Sequence, residues 1–335
     1  MDPVTQGALG AVFAQTSQSR DKMVAATWLG CAAGMAPDLD VFIQSASDPL
    51  LFLEFHRHFT HALAFIPIGA AIVTLALYRL VRHRLSWKET YVAAFLGYAT
   101  HGLLDACTTY GTQLFWPFTD LRVAWNNVSV VDPLVTLPLL SLVVIAARTR
   151  KHVYTVAGIS WVFAYLLLGV VQMLRAEDAA LELTNQRGHE PGRLTLKASF
   201  GNLLVWKSIY EDNGTYYVDG IRVAASKSHC GGVTIPKLNL ARDFPYLDPA
   251  SQQAKDIERF RWFSDDYLAP WGRHGITDIR YSMIPNEVEA MWGITLNPKA
   301  QPTQYVTWWS NREARAEKLG EFTGLVIDGA GCNPI

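Results

Sequence analysis

The sequence predicts an α-helical membrane domain of five or six spans, followed by an α+β soluble domain rich in antiparallel strands. Three observations carry this. Half of the 335 residues are hydrophobic and only 18% are charged, which is apolar for an ordinary soluble enzyme. Met1 to Leu174 holds 21 charged residues and Arg175 to Ile335 holds 38, so charge density doubles at one point. Before that point the chain has long uncharged runs; after it, short alternating ones. The domains are therefore expected at 1–174 and 175–335. A formal net charge of -1 gives no global basic field, so nucleic acid is not an expected partner. Four cysteines without a CxxC pair exclude a disulfide scaffold and a thiolate zinc site.

Each helical element follows from length and polarity, a span needing about 20 mainly apolar residues. Val4 to Ser17 is the weakest, a short sixth span or an interfacial helix. Met23 to Pro37 is short and rich in small residues. Ala62 to Leu80 is a good span, Thr90 to Leu104 is shorter and more polar, and Val131 to Ala147 is again good. Val153 to Leu174 is the clearest, with no charge at all. The start lacks the basic segment and long apolar run of a signal peptide. Basic residues cluster at Arg20 and Lys22, at Arg79, Arg82, Arg84 and Lys88, and at Arg148, Arg150 and Lys151. These loops are expected in the cytoplasm. Asp38 to His58, Asp105 to Asp132 and the whole C-terminal domain then lie on the extracytoplasmic side of an inner membrane.

Beyond Leu174, Leu203 to Glu211 and Thr215 to Ala225 flank Asp212-Asn213-Gly214, a hairpin signal. Ile279 to Ile284 and Gln304 to Trp309 read as strands, Ser251 to Phe263 and Arg312 to Leu319 as helices. His229 and Cys230 read as a structural pair, Glu287 and Glu289 as a solvated edge. Cys230 and Cys332 fall in an oxidising compartment if the host is a bacterium; whether they pair is left open, because Gly329-Ala330-Gly331 precedes Cys332.

The candidate ligands of the first half all fall on the outer side: Asp38 and Asp40 in Pro37-Asp38-Leu39-Asp40, the histidines of His56-Arg57-His58-Phe59-Thr60-His61, and His101 with Asp105. Ionisable side chains at membrane depth are costly and mark function by default. His101 and Asp105, four apart, share a helix face and can grip one ion. His58 and His61 can do the same in a helix; His56 pairs with His61 only if it precedes the first turn. Asp38 and Asp40 follow a helix-breaking proline and point apart, so one of them is expected to coordinate directly. Imidazole and carboxylate without thiolate suit zinc, and also manganese or iron. Asp132, before Pro133, reads equally as a helix cap. Tyr110, Trp116 and Trp125 read as interfacial anchors.

These residues resemble the membrane-bound metal-dependent hydrolase family of YdjM-like, LexA-regulated inner-membrane proteins. The matching stretches are MDPVTQGALGA at the start, PDLD at 37–40, HRHFTHAL at 56–63 and GYATHGLLDACTTYGTQLFWPF at 97–118. VDPL at 131–134 and GNLLVWKSIYEDNGTYYVDG at 201–220 resemble its longer, two-domain branch. The resemblance implies metal-site roles for Asp38, Asp40, His56, His61, His101 and Asp105, and favours His56 over His58. That family's opening motif reads Thr-His where this chain has Thr5-Gln6, a weaker metal donor. The H-x-x-x-D motif is also similar to zinc phospholipase C and P1 nuclease, over the motifs alone.

The function expected from these residues is membrane-embedded metal-dependent hydrolysis of an ester or phosphoester, small or lipid-like, at the bilayer. The spare carboxylate, Asp40, would serve as general base and His58 would protonate the leaving group. Two other classes use the same residues: a non-catalytic metal-binding scaffold or receptor, and a metal-handling transporter. The transporter would show internal repeats or broken helices, and the sequence has neither.

Overall fold

A computed structural model describes residues 1–311 and 318–335. It divides into two compact units. One comprises Met1–Phe42, Phe55–Val171 and Phe200–Asn202; the other comprises Ile43–Glu54, Gln172–Ser199 and Leu203–Ile335.

The helices of the first unit are α1 (Pro3–Thr16), α2 (Met23–Met35), α4 (Ile66–Val81), α5 (Trp87–Ala106), α6 (Pro133–Thr149) and the start of α7 (His152–Gln186); α3 (Leu51–Phe55), a single turn, belongs to the second unit up to Glu54. Local chemistry sets their starts. Asp2 caps α1, accepting from the backbone N–H of Val4 and Thr5, with Pro3 in the first turn. Ser86 and Glu89 form a capping box on α5. Asp132 caps α6 at Leu134 and also accepts from the Tyr165 hydroxyl at 2.8 Å, so this carboxylate is structural.

The expected five or six spans are not present. Among the described residues, two helical stretches are long and apolar enough to cross a bilayer, Leu63–Val81 and His152–Gln186, with Pro133–Thr149 a shorter apolar helix. The other apolar runs do form helices, but composition alone overstated them. The 14 residues of α1 and 13 of α2 reach about 20 Å, against about 30 Å of hydrocarbon. The 20-residue α5 carries Lys88, Glu89, His101 and Asp105.

Packing in this unit runs on small residues. A Cβ on Gly10 would lie 2.3 Å from the Gly30 carbonyl, and one on Gly34 2.5 Å from the Gln6 carbonyl. Backbones of α1 and α2 thus touch directly, as small residues spaced four apart permit. Ala14, Ala26, Leu29, Ala33, Ala93, Ala94 and Tyr98 continue this core into α5.

In the second unit, β1 (Leu194–Ala198), β2 (Val205–Asp212), β3 (Thr215–Val223) and β4 (Lys227–Pro236) form an antiparallel sheet in chain order, completed by β9 (Asn333–Pro334) on β4. The β2–β3 hairpin turns at Asn213 and Gly214, both at positive φ, as its sequence predicts. Cys230 in β4 is disulfide-bonded to Cys332, beside the β4–β9 pairing. His229 pairs with Asp219 at 2.7 Å. A second antiparallel sheet runs β5 (Leu268–Trp271), β6 (Gly275–Asp278), β7 (Trp292–Thr295), β8 (Thr307–Ser310). The short helices are α8 (Leu240–Asp243), α9 (Gln252–Phe263, capped by Ser251) and α10 (Leu319–Ile327). Ile279 to Ile284, expected as a strand, follows β6 as turn and coil. The helix expected over Arg312 to Leu319 lies almost wholly outside the described residues. Glu287 and Glu289 both pair with Lys318. Ile43–Glu54 joins this unit because Arg259 of α9 binds Asp48 at 2.8 Å and pairs with Glu54, while Phe52 packs edge-on against Trp308.

Candidate metal centre

Three short segments bring the donors together. After α2, Pro37 tightens the chain into a 3-10 segment, Ala36–Phe42, which carries Asp38 and Asp40. A second 3-10 turn, Phe59–His61, carries His61, and α5 carries His101 and Asp105 on one face. The turn seats on α5 at Gly102, where a Cβ would lie 2.1 Å from the His61 carbonyl. That close approach sets the His61 and His101 Nε2 atoms 2.9 Å apart.

Two donor groups result. In the first, one ligand atom each from Asp38, His61, His101 and Asp105 lies within 4.8 Å of the others. Asp38 Oδ1 is 3.5 Å from His61 Nε2 and 3.3 Å from His101 Nε2, and Asp105 Oδ2 is 3.2 Å from His61 Nε2. In the second, Asp38 recurs with Asp40 and His56 within the same limit. The structure therefore brings together Asp38, Asp40, His56, His61, His101 and Asp105, with Asp38 common to both groups. His58 joins neither; its ring packs among Phe55, Phe59 and Trp116.

Outer partners aim the donors inward. His101 Nδ1 bonds the Gly34 carbonyl at 2.5 Å, leaving Nε2 towards the cluster. His61 Nδ1 faces Thr60 Oγ1 at 3.0 Å and Asp40 Oδ2 at 3.3 Å. Asp40, buried, also meets His56 Nδ1 at 2.8 Å, the Arg57 amide at 2.9 Å and the Thr60 hydroxyl at 3.0 Å. These bonds orient His56 and His61.

Charge follows the geometry. Burial pushes the Asp38 carboxyl up, but hydrogen bonds from His101 and His61 outweigh it and hold the group well below the usual carboxylate range. Burial acts likewise on Asp40, overcome by His56 and His61. Burial opposes charge on His61, yet its bonds to Asp105, Asp38 and Asp40 raise it to about 10. Three carboxylates converging on one buried imidazole mark a place for a cation.

Sequence reasoning missed Arg57, although it stands inside the histidine motif. It adopts φ 64°, a conformation that non-glycine residues rarely take. Its amide reaches Asp40, while its buried guanidinium lies 3.0 Å from Asp105 Oδ2 and over the Tyr110 ring. The N-terminal amine of Met1 also pairs with Asp105. Tyr110 and Trp116 pack on His56 and His58; Trp125 is half exposed. Gln6, fully buried, donates to Asp105 Oδ1 at 2.9 Å and to the His101 carbonyl at 3.3 Å, while its Oε1 has no hydrogen-bond partner among the described residues. An orphaned buried oxygen beside four convergent donors fits a cation there.

The profile of the YdjM inner membrane protein family matches residues 1–176, the segment that supplies every one of these donors. The chain belongs to the YdjM inner membrane protein family. That membership fits an inner-membrane location and, with the donor groups, a membrane metal-binding protein. The chain is also 26% identical over 114 residues to the uncharacterized protein YfhP of Bacillus subtilis (strain 168), a match spanning 34% of each chain. No solved structure matches.

Within this YdjM family member, position 6 gives a direct test. Gln6→His would place an imidazole where the orphaned carbonyl lies, and is expected to raise the metal-to-protein ratio measured by elemental analysis. An unchanged ratio would mean that position 6 only props Asp105.

Proposed function

We propose that this chain is a membrane metal-dependent hydrolase acting on phosphoesters. The observation that carries the reading is the sharing of Asp38 between two overlapping donor groups, since paired cation sites are a common arrangement for in-line displacement at phosphorus. Asp38, His61, His101 and Asp105 would hold one divalent cation, zinc, manganese or iron by donor type; Asp38, Asp40 and His56 would hold a second. A cation so held would supply a water of lowered pKa and a Lewis acid for the phosphoryl oxygen.

The remaining steps belong to the protein. Asp40 keeps His56 and His61 in register through the bonds described above. Asp38, with its side chain 21% exposed, is the carboxylate of the cluster that an attacking water reaches. His58, outside both donor groups, would return a proton to the leaving oxygen. Arg57 balances Asp105 and so limits the negative charge met by an anionic substrate. For the C-terminal domain we propose the extracytoplasmic side, which the Cys230–Cys332 bond supports.

The test separates the two motif histidines. His56→Ala is expected to lower metal content, whereas His58→Ala is expected to keep the metal and lose about 10²–10⁴-fold in turnover of a soluble phosphodiester, the usual worth of a general acid. Full metal occupancy with no turnover of any phosphoester by the unmodified protein would make the metal structural.

A further inference from the structure

A cavity of about 650 Å³ opens beside the donor cluster, within the size range of small-molecule sites. Its wall is apolar: Ala32 and Met35 of α2, Ile72 and Ala76 of α4, and Leu39 and Phe59 towards the cluster. The polar groups at that end are Thr60, whose hydroxyl bonds Asp40, and Tyr98, whose hydroxyl bonds the Thr60 carbonyl. Leu39 stands between Asp38 and Asp40 on one 3-10 turn, so groove and donors share a backbone segment. The groove runs along α4, within the stretch Leu63–Val81 that is long and apolar enough to cross a bilayer. Leu39 and Phe42 on the donor-bearing turn are 62% and 76% exposed, an apolar rim suited to hydrocarbon rather than water.

We propose that the substrate is a membrane phospholipid, with one acyl chain lying in this groove and its phosphoester at the Asp38 cluster. The proposal rests on the hydrolase reading and names its substrate class. A polar headgroup alone would leave the groove empty. A soluble ester would meet an apolar rim at the mouth. A chain entering from the bilayer along α4 meets matching surface until it reaches Thr60 and the donors. Hydrolysis then puts the oxygen of water on phosphorus as the phosphorus–oxygen bond to the leaving alcohol breaks. One water proton leaves to solvent and the alcohol oxygen gains a proton from His58, giving an alcohol and a phosphomonoester.

The test uses the full chain in nanodiscs of phosphatidylethanolamine and phosphatidylglycerol, with a trace of phosphatidylglycerol bearing a diazirine on its acyl chain. Photoadducts are expected on segments 32–39 and 69–77. Ala32→Phe and Ala76→Phe are expected to remove most of them while metal content stays at the wild-type level, which also reports folding. Leu75→Phe, on the outward face of α4, is expected to leave them unchanged. Adducts spread evenly over the outward residues of α4 and α7, and insensitive to the groove variants, would overturn the acyl-chain site. Groove adducts without turnover of either a long-chain or a soluble phosphodiester would overturn the hydrolase reading and not the site. Turnover without groove adducts would overturn the site alone.

Discussion

His101→Ala and Asp105→Ala are each expected to strip most of the metal from detergent-purified protein. Each deletes a fully buried donor of the four-residue group, and even outer partners of metal ligands are worth about 10–100-fold in affinity. The Asp105 change carries a second cost, because the Arg57 guanidinium is left buried beside an absent partner; breaking such a pair costs about 3–5 kcal/mol. Asp105→Asn keeps the side-chain volume and is the companion variant if the alanine protein does not fold. His83→Ala and His152→Ala lie outside both donor groups and are expected to retain wild-type metal. Equal metal content across all of these proteins, measured by elemental analysis, would refute the centre.

The second large effect is expected from Cys230. The bond to Cys332 closes a separation of 102 residues, for which loop-closure entropy gives up to about 4.7 kcal/mol. Cys230→Ser should therefore lower the denaturant midpoint of the C-terminal strands, followed by their circular dichroism, and reduction of the wild type should reproduce it. The same thiols report the side of the membrane. In intact spheroplasts a membrane-impermeant maleimide is expected to label Cys230 or Cys332 only after reduction. A Ser86→Cys variant, next to the basic loop at Arg82 and Arg84, should label only after lysis. The opposite pattern would put the C-terminal domain in the cytoplasm.

Local motifs made much of the centre legible. His101 and Asp105 fall four apart on one helix, and the histidine run and PDLD segment each pack several donors into six residues or fewer, so the structure needs few long-range contacts to join them. What was not legible depends on distance or on backbone. Gln6 on α1 meets Asp105 on α5, 99 residues further along the chain, and no spacing rule reports that. Arg57 becomes part of the site through a left-handed backbone turn. The number of spans failed for another reason: apolar composition is shared by helices that cross a bilayer and short helices that pack on each other through small residues, as α1 and α2 do. Ile43–Glu54 joins the C-terminal strands through Arg259, a partner more than 200 residues away. The strand expected at Ile279 lies a few residues earlier, because β6 ends at Asp278 and Asp278 itself binds Arg280 at 2.7 Å.

The direct backbone contact of α1 with α2 also governs how this protein can change over time. Where helices meet through large side chains, a substitution at the contact is absorbed by rotamer changes and the helices drift. Here the Gly10 and Gly34 contacts leave no side chain to adjust, so the spacing between Gln6, the Gly34 carbonyl and His101 is set by main chain alone. Outward-facing residues such as Trp28 and Leu75 can then be exchanged for other apolar residues without moving a donor. The surface of this unit is free to vary, while its centre keeps one geometry.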